Sequence, residues 1–174
     1  IGIGDGTALR INALFHDADT PGRDHVETQR VGIAPSIAFG LGTSTRAILS
    51  YFRLEQDNVP DYGVPFVPNT NIPLEDYRDK AAPVDFDNYY GVLERDYEKT
   101  TANIATFALE HDLNDRIRVA NTTRYGHAVR DSIYSAPRFA NTTTTLINAN
   151  AQSRDTVDKT LLNQSNIFAR FDTG

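Results

Sequence analysis

The sequence predicts an all-β fold in which antiparallel up-and-down strands form part of a transmembrane β-barrel. Apolar and polar residues alternate in several segments, and the connections between these segments are short at one end and long at the other. The polar faces carry Arg, Asn, Ser, Thr, Gly and Ala rather than Lys and Glu. A soluble β domain is the alternative, but its water-facing side tends to be rich in Lys and Glu, so the composition favours the barrel.

The first three predicted strands alternate clearly between apolar and polar positions. They run through ALRINALFHDAD, HVETQRVGIAPSIAFG and RAILSYFRLEQD. The residues expected on the apolar face are Leu9, Ile11, Ala13 and Phe15, then Val31, Ile33, Pro35, Ile37 and Phe39, and finally Ala47, Leu49 and Tyr51. Leu14, Ile48 and Phe52 depart from this alternation, because they are large apolar residues on the opposite face. Because proline cannot donate to the ladder, a local irregularity is expected at Pro35.

Three further strands are expected in TTANIATFALEHDL, RIRVANTTRYGHAVRDSIY and KTLLNQSNIFARF. A break containing proline, SAPRFANTTTT, is expected to separate the last two. In the last strand Ile167, Ala169 and Phe171 should share a face opposite Asn166 and Arg170. About six strands cannot close even a barrel of about eight, so residues 1–174 are predicted to form a partial β-barrel domain of a larger barrel.

The lengths of the connections predict which end of the strands faces outward. The turns after the second and fourth strands are short, whereas the connections after the third and fifth strands are long. The connection after the third strand holds roughly 35–40 residues, far more than is usual. Barrels of the bacterial outer membrane have short periplasmic turns and long extracellular loops, so the long connections are predicted to be extracellular.

Composition and spacing exclude several classes of function. A net charge of −6 argues against nucleic acid as a partner, and no apolar run approaches the roughly 20 residues of a membrane-spanning helix. The absence of cysteine excludes disulfides and thiolate metal sites. The four histidines are scattered, and no nucleophile lies in a pattern with a base and an acid. We therefore expect no catalytic residues, no enzymatic activity, no metal site and no cofactor bound by the protein.

Several segments resemble the barrel of TonB-dependent siderophore receptors, and among these the catecholate ferric siderophore receptors. The similar segments are GDGTALRINALFHDADTPGRD, RVGIAPSIAFGLGTSTRAILSY, QDNVPDYGVPFVP, DFDNYYGVLERDYEKT and ALEHDLND. The resemblance implies a large barrel in the bacterial outer membrane, with an N-terminal plug that lies outside this sequence. It implies import of a ferric siderophore, as transported ligand, with energy from the TonB complex. The expected partners are therefore the siderophore, TonB acting through the plug, and outer-membrane lipid.

The resemblance also suggests ligand contacts in the long connection, where aromatic residues are interleaved with Arg and Lys. Cationic side chains would attract an anionic chelate, and aromatic faces would stack on catechol rings. The candidate ligand contacts there are Tyr62, Arg78, Phe86, Tyr89, Tyr90 and Arg95, and Arg138 is a weaker candidate that is expected in the loop after the fifth strand. The tyrosines could instead pack the loop against itself, and both readings remain open. Residues expected to face the lumen are Arg10, Arg30, Arg124 and Arg170, which could attract the chelate or pair with acids of the plug.

Two other functions remain open from the residues alone. One is a soluble β-sheet binding module, such as part of an adhesin or a lectin. The other is a passive porin-like channel. A soluble module would stay in solution without detergent, and a plug domain preceding the barrel would exclude an open pore.

Overall fold

A computed structural model describes residues 1–171, and it contains an open antiparallel sheet of seven strands and a smaller pair. The strands are β1 (Gly2–Gly4), β2 (Thr7–Asp19), β3 (Glu27–Phe39), β4 (Thr45–Asn58), β5 (Phe66–Val67), β6 (Lys80–Ala81), β7 (Tyr97–Asn114), β8 (Ile117–Phe139) and β9 (Ile147–Ala169). The large sheet has the order β1-β2-β3-β4-β7-β8-β9, and β5 pairs with β6. Each long strand therefore pairs with the next long strand along the chain, which confirms the up-and-down antiparallel prediction.

The register of the sheet separates its residues into two faces. Odd-numbered residues pair with odd-numbered ones across the strands, as in Leu9 with Ile37 and Leu49 with Phe107. Because side chains alternate along a strand, one face carries the odd-numbered residues from β2 to β9. We call it the apolar face, because it holds all the apolar residues predicted to share a face in the first three strands. The even-numbered side is called the polar face, although Ile48 and Phe52 also lie there.

The two ends of the sheet differ in the way the sequence predicts. The turn end consists of segments 40–44 and 115–116, and the loop end consists of segments 20–26, 59–96 and 140–146. At the turn end Gly40 has φ +70°, and an added Cβ would collide with the carbonyl oxygen of Thr45. Only glycine therefore fits this tight turn. Within residues 1–171 no helix has the length and hydropathy needed to cross a membrane.

The predicted irregularity at Pro35 is present in the ladder between β3 and β4. Pairing runs as far as Ile33 with Arg53 and resumes at Ser36 with Ser50, with no pairs recorded at Ala34 and Pro35. The register is the same on both sides of the gap. Proline therefore interrupts the ladder locally, as expected for a residue without an N–H group, and leaves the two faces intact.

Strands β8 and β9 are longer than the sequence predicts. The break predicted at SAPRFANTTTT is wrong for its first five residues, which belong to β8. Residues 135–139 continue β8, residues 147–158 form the first half of β9, and only residues 140–146 connect the two strands. From residue 148 to residue 156 the odd-numbered positions carry only Ala, Ser and Asp (Ala149, Ala151, Ser153 and Asp155), so the apolar alternation there is weak. Pro137 is tolerated because β7 begins opposite Ile133, which leaves this part of β8 with a single neighbouring strand.

The buried residues lie at the loop end and not in the middle of the sheet. Fully or nearly buried residues of the described chain include Val26, Pro65, Val67, Asn71, Ala82, Asp96, Ser132, Ser135 and Ala136. Large apolar side chains of the apolar face are instead exposed, for example Phe15 at 77% and Leu161 at 72%. A water-soluble protein rarely leaves a continuous apolar face uncovered, so this face is suited to lipid.

Candidate functional site at the loop end

Two loops of the loop end are joined through Arg23. Its guanidinium donates to both carboxylate oxygens of Asp61 at 2.8 Å, and it also donates to the carbonyl oxygen of Phe86. The amide of Asp24 donates to the carbonyl oxygen of Asp87 at 2.6 Å. The bidentate pair is partly shielded from water, because the Arg23 side chain is 12% exposed. Segment 20–26 is thus fixed to the long loop 59–96 at two places, near its beginning and at residues 86–87.

Asn71 attaches the long loop to segment 140–146 on the other side. Its amide nitrogen donates to the carbonyl oxygen of Thr144 at 3.3 Å, and the neighbouring amide of Ile72 donates to Thr142 at 2.8 Å. Asn71 is completely buried, and its own carbonyl oxygen accepts a 2.6 Å hydrogen bond from Arg78. The three loops are therefore one hydrogen-bonded unit above the strands.

Asp96 is a buried carboxylate that holds the base of the long loop against β8. It accepts hydrogen bonds from the amides of Ser135 at 2.8 Å and Val92 at 3.2 Å, and from the side chains of Arg95 at 3.0 Å and Tyr89 at 3.3 Å. Burial alone would raise the pKa of Asp96, but the hydrogen bonds from Ser135, Val92 and Arg95 outweigh it and lower the pKa. The carboxylate is therefore ionised at neutral pH, where it anchors the loop.

The structure brings two predicted ligand contacts, Tyr89 and Arg95, together around Asp96. Burial and the negative charge of Asp96 raise the pKa of Tyr89, whose hydroxyl also donates to the carbonyl oxygen of Pro60 at 3.3 Å. Arg95 donates to the Ser135 hydroxyl at 2.5 Å as well as to Asp96. These contacts give both side chains a structural task within the loop unit, and contact with a ligand stays a prediction for them.

The remaining loop candidates are dispersed. Arg78 is held by the carbonyl oxygen of Asn71, and Tyr90 donates to the carbonyl oxygen of Asp85 at 2.8 Å. Phe86 and Tyr62 are more than half exposed. The prediction that Arg138 lies in a loop is wrong, since it is an exposed residue near the end of β8.

Three of the four arginines predicted to face the lumen share the polar face. Arg10, Arg30 and Arg124 are even-numbered residues of β2, β3 and β8. The Arg124 guanidinium lies 3.4 Å from the hydroxyl of Thr106. Arg170 follows the end of β9 and donates its amide to the carbonyl oxygen of Arg116 at 3.0 Å. That the polar face lines a lumen stays a prediction for these side chains.

A second charged cluster lies on the polar face at the turn end. Arg46 contacts Asp112 at 2.6 Å and Glu110 at 3.3 Å, and Arg118 contacts Asp112 at 2.7 Å. Two arginines therefore balance two carboxylates across three neighbouring strands. The adjacent turn is capped by Asn114, whose side chain accepts the amides of residues 116 and 117. Residues 1–171 contain no group of three or more His, Cys, Asp or Glu side chains placed to hold a metal ion.

Sequence reasoning missed Arg23, Asp61, Asn71, Asp96 and Ser135, which hold the loop end together. Asp61 lies 38 residues after Arg23, and Ser135 lies 39 residues after Asp96. No local spacing marks such partners, because they meet only after the long loop has folded over the strands. Only the resemblance, which singled out the stretch around RDYEK, pointed near Asp96.

Comparison with known proteins shows what this chain is similar to. The chain is 36% identical over 185 residues to the catecholate siderophore receptor Fiu of Escherichia coli (strain K12), a match that covers 99% of this chain and 24% of Fiu. It is 38% identical over 174 residues to the probable TonB-dependent siderophore receptor PiuA of Acinetobacter baumannii, covering 98% of this chain and 23% of PiuA. The chain is therefore similar, along nearly its whole length, to a barrel segment of TonB-dependent siderophore receptors. It spans about a quarter of the length of the curated relatives it matches.

Solved structures of siderophore receptors contain a part with the same fold as this chain. The crystal structure of the ferric-catecholate import receptor Fiu from E. coli K12 in its closed form matches with a TM-score of 0.86 and 34% identity, over 99% of this chain and 26% of Fiu. That of the siderophore receptor PiuA from Acinetobacter baumannii matches with a TM-score of 0.87 and 37% identity, over 99% of this chain and 24% of PiuA. No family model matches the chain.

The similarity to these receptors bears on three of the sequence predictions. The fold is that of a transmembrane β-barrel, here an open part of it. The location is the bacterial outer membrane, and the expectation that the chain is not an enzyme is confirmed, because the relatives are receptors. The soluble-module alternative is thereby set aside.

Proposed function

We propose that this chain is part of an outer-membrane receptor that binds a ferric siderophore of the catecholate type and imports it with energy from TonB. The observation that carries the proposal is the similarity to Fiu along 99% of the chain, loops and strands alike. Fiu is named as a receptor for catecholate siderophores. The chelate is a transported ligand in this proposal and not a resident cofactor.

Each surface of the segment has a part in the proposed transport. The loop end would meet the chelate outside the cell, because it carries the long loop and most of the aromatic side chains that are not on strands. The polar face would line the path inward, and the apolar face would contact outer-membrane lipid. TonB would act through a plug domain, and no nucleic acid has a role.

A binding experiment with the intact receptor tests the choice of ligand. The iron(III) complex of 2,3-dihydroxybenzoate should bind the purified receptor with at least about tenfold lower Kd than an iron(III) trihydroxamate, because aromatic stacking is available only to the first. Both affinities are measured by quenching of intrinsic tyrosine fluorescence. Equal affinities for the two complexes, or no binding of the catecholate, would contradict the proposed ligand class.

A further inference from the structure

A row of hydrogen-bond donors crosses the polar face of the sheet from β2 to β8. It runs through Arg10, Ser36, Ser50, Thr106 and Arg124, which pair residue by residue across five neighbouring strands. Each of these side chains can donate a hydrogen bond, and an arginine stands at either end of the row. We call these five residues the donor row.

The donor row lines an open cavity of about 440 Å³. All five of its residues belong to the cavity wall, together with Asn12 and the large apolar side chains of Phe52 and Ile104. Within residues 1–171 no Asp or Glu lines this cavity. The cavity therefore combines two cationic groups and several neutral donors with a small apolar surface.

Neither arginine of the donor row forms an ion pair within residues 1–171. The Arg10 guanidinium donates to Oδ1 of Asn12 at 3.4 Å, and the Arg124 guanidinium donates to the hydroxyl of Thr106 at 3.4 Å. Both arginine side chains are otherwise exposed. The hydroxyls of the two serines in the row also have no hydrogen-bond partner in these residues. The donors of the row are therefore largely unused by the segment itself.

The charges around the donor row favour an anion. The cluster at the turn end balances two arginines with two carboxylates, whereas the donor row has no such balance. The polar-face carboxylates nearest to the row along the strands are Glu110 of β7 and Asp158 of β9, each four residues or about 13 Å away. Glu110 is already bound to Arg46. The donor row thus keeps a local positive charge that attracts an anionic group.

From these observations we infer that the donor row is a docking site for a carboxylate of the receptor's own polypeptide, an Asp or Glu side chain outside residues 1–174. Guanidinium and hydroxyl donors suit the oxygens of a carboxylate. About three quarters of the length of Fiu and PiuA lies outside the part that this chain matches, so the intact receptor has further polypeptide to place on this face.

The shape of the cavity supports a polypeptide segment as its occupant. The cavity is larger than one carboxylate, and apolar groups next to the docked acid would pack on Phe52 and Ile104. A permanently docked acid would also satisfy the two serine hydroxyls, which an anion in transit would do only briefly. The inference goes beyond the proposed function and takes from it only that the polar face is the inside of the barrel.

Labelling of carboxylates in the intact receptor tests the docking site. The receptor in lipid vesicles is treated with a carbodiimide and an amine, and the modified Asp and Glu residues are identified by peptide mass spectrometry. In Arg124→Gln and in Arg10→Gln, the same carboxylate outside residues 1–174 should be labelled about fivefold faster than in the parent, because it has lost a charge-assisted hydrogen bond. The matched control is Arg154→Gln, the same change at an exposed arginine of the polar face that does not line the cavity.

Two variants at opposite ends of the row keep the test decisive if one of them does not fold, which circular dichroism verifies. The docking site is overturned if no carboxylate outside residues 1–174 responds to either variant, or if Arg154→Gln has the same effect. It is also overturned if labelling stays unchanged while either variant raises the Kd for the iron(III) complex of 2,3-dihydroxybenzoate, since the row would then serve the transported anion. The proposed function is tested separately, by binding of that complex to the parent receptor.

Discussion

Replacing Asp96 by Ala should release the long loop 59–96 from the strands while leaving the large sheet paired. The carboxylate accepts hydrogen bonds from two amides and two side chains, and its side chain is fully buried. Removing it leaves the buried amide of Ser135 with an unmet hydrogen bond, whereas Arg95, whose side chain is 36% exposed, can turn to water. Loss of a hydrogen bond to a charged group costs about 1.5–3 kcal/mol.

Hydrogen exchange of the intact receptor measures this release directly. If the free energy of opening the loop falls by about 3 kcal/mol, the population of the open loop rises by more than about 100-fold. Amides of residues 59–96 should then exchange correspondingly faster. Amides in β2 and β3, which do not contact Asp96, should keep their protection. The matched control is Glu94→Ala, an exposed acid two positions away. Equal exchange in the two variants would contradict the anchoring role of Asp96.

Acid should release the loop in the unchanged protein by the same route. Hydrogen bonds hold the pKa of Asp96 below the value of about 3.9 that an exposed Asp has. Because the pKa of Asp96 is lower in the folded protein, its stabilisation is complete at pH values above the pKa of the unfolded chain. The stabilisation is lost as the pH falls through the pKa of the folded protein. Exchange in segment 59–96 should therefore be constant from neutral pH to about pH 5, after correction for intrinsic rates, and should rise only below about pH 4.

A lysine at position 49 should destabilise the barrel, whereas a lysine at position 48 should be tolerated. Leu49 lies on the apolar face, next to Ile37 and Phe107 of the neighbouring strands, while Ile48 points to the polar face. The two side chains are similarly exposed in the segment, at 51% and 43%. A cation on the lipid side of a barrel costs about 2–4 kcal/mol near the middle of the membrane, and lumen positions are far more tolerant.

Urea unfolding of the intact receptor in lipid vesicles compares the two lysine variants. Leu49→Lys should lose about 2–4 kcal/mol of unfolding free energy, and Ile48→Lys should lose less than about 1 kcal/mol. The two substitutions control for each other, because they are adjacent and create the same side chain. If Ile48→Lys were the more damaging variant, the faces of the sheet would be assigned the wrong way round.

Alternation along the strands was enough to predict the sheet wherever one face is apolar. It placed Leu9, Val31 and Ala47 on a common face that the register confirms. It missed residues 147–158, because the alternation of Ala149 and Ala151 with their polar neighbours is weak and no large apolar residue occurs from 148 to 156. Turn lengths predicted the two ends of the sheet correctly, since tight turns carry local signals such as Gly40.

The loop end was less accessible to sequence reasoning than the sheet. The aromatic and cationic composition of the long loop pointed to ligand contacts, yet Tyr89 and Arg95 are engaged at Asp96 in the structure. Tyr62 stacks on Tyr134, which is 72 residues away along the chain, so this contact exists only in the folded protein. Such contacts depend on the path of a long irregular loop, whose sequence has no periodic pattern from which its path could be predicted.

Uptake of radioactive iron by whole cells tests the central claim of receptor function most directly. Cells that carry the intact receptor as their only receptor for the iron(III) complex of 2,3-dihydroxybenzoate should accumulate iron from it, and deletion of TonB should abolish that accumulation. The account predicts that cells lacking the receptor accumulate none under the same conditions. Accumulation that continues without TonB, or that is equal with and without the receptor, would contradict the account.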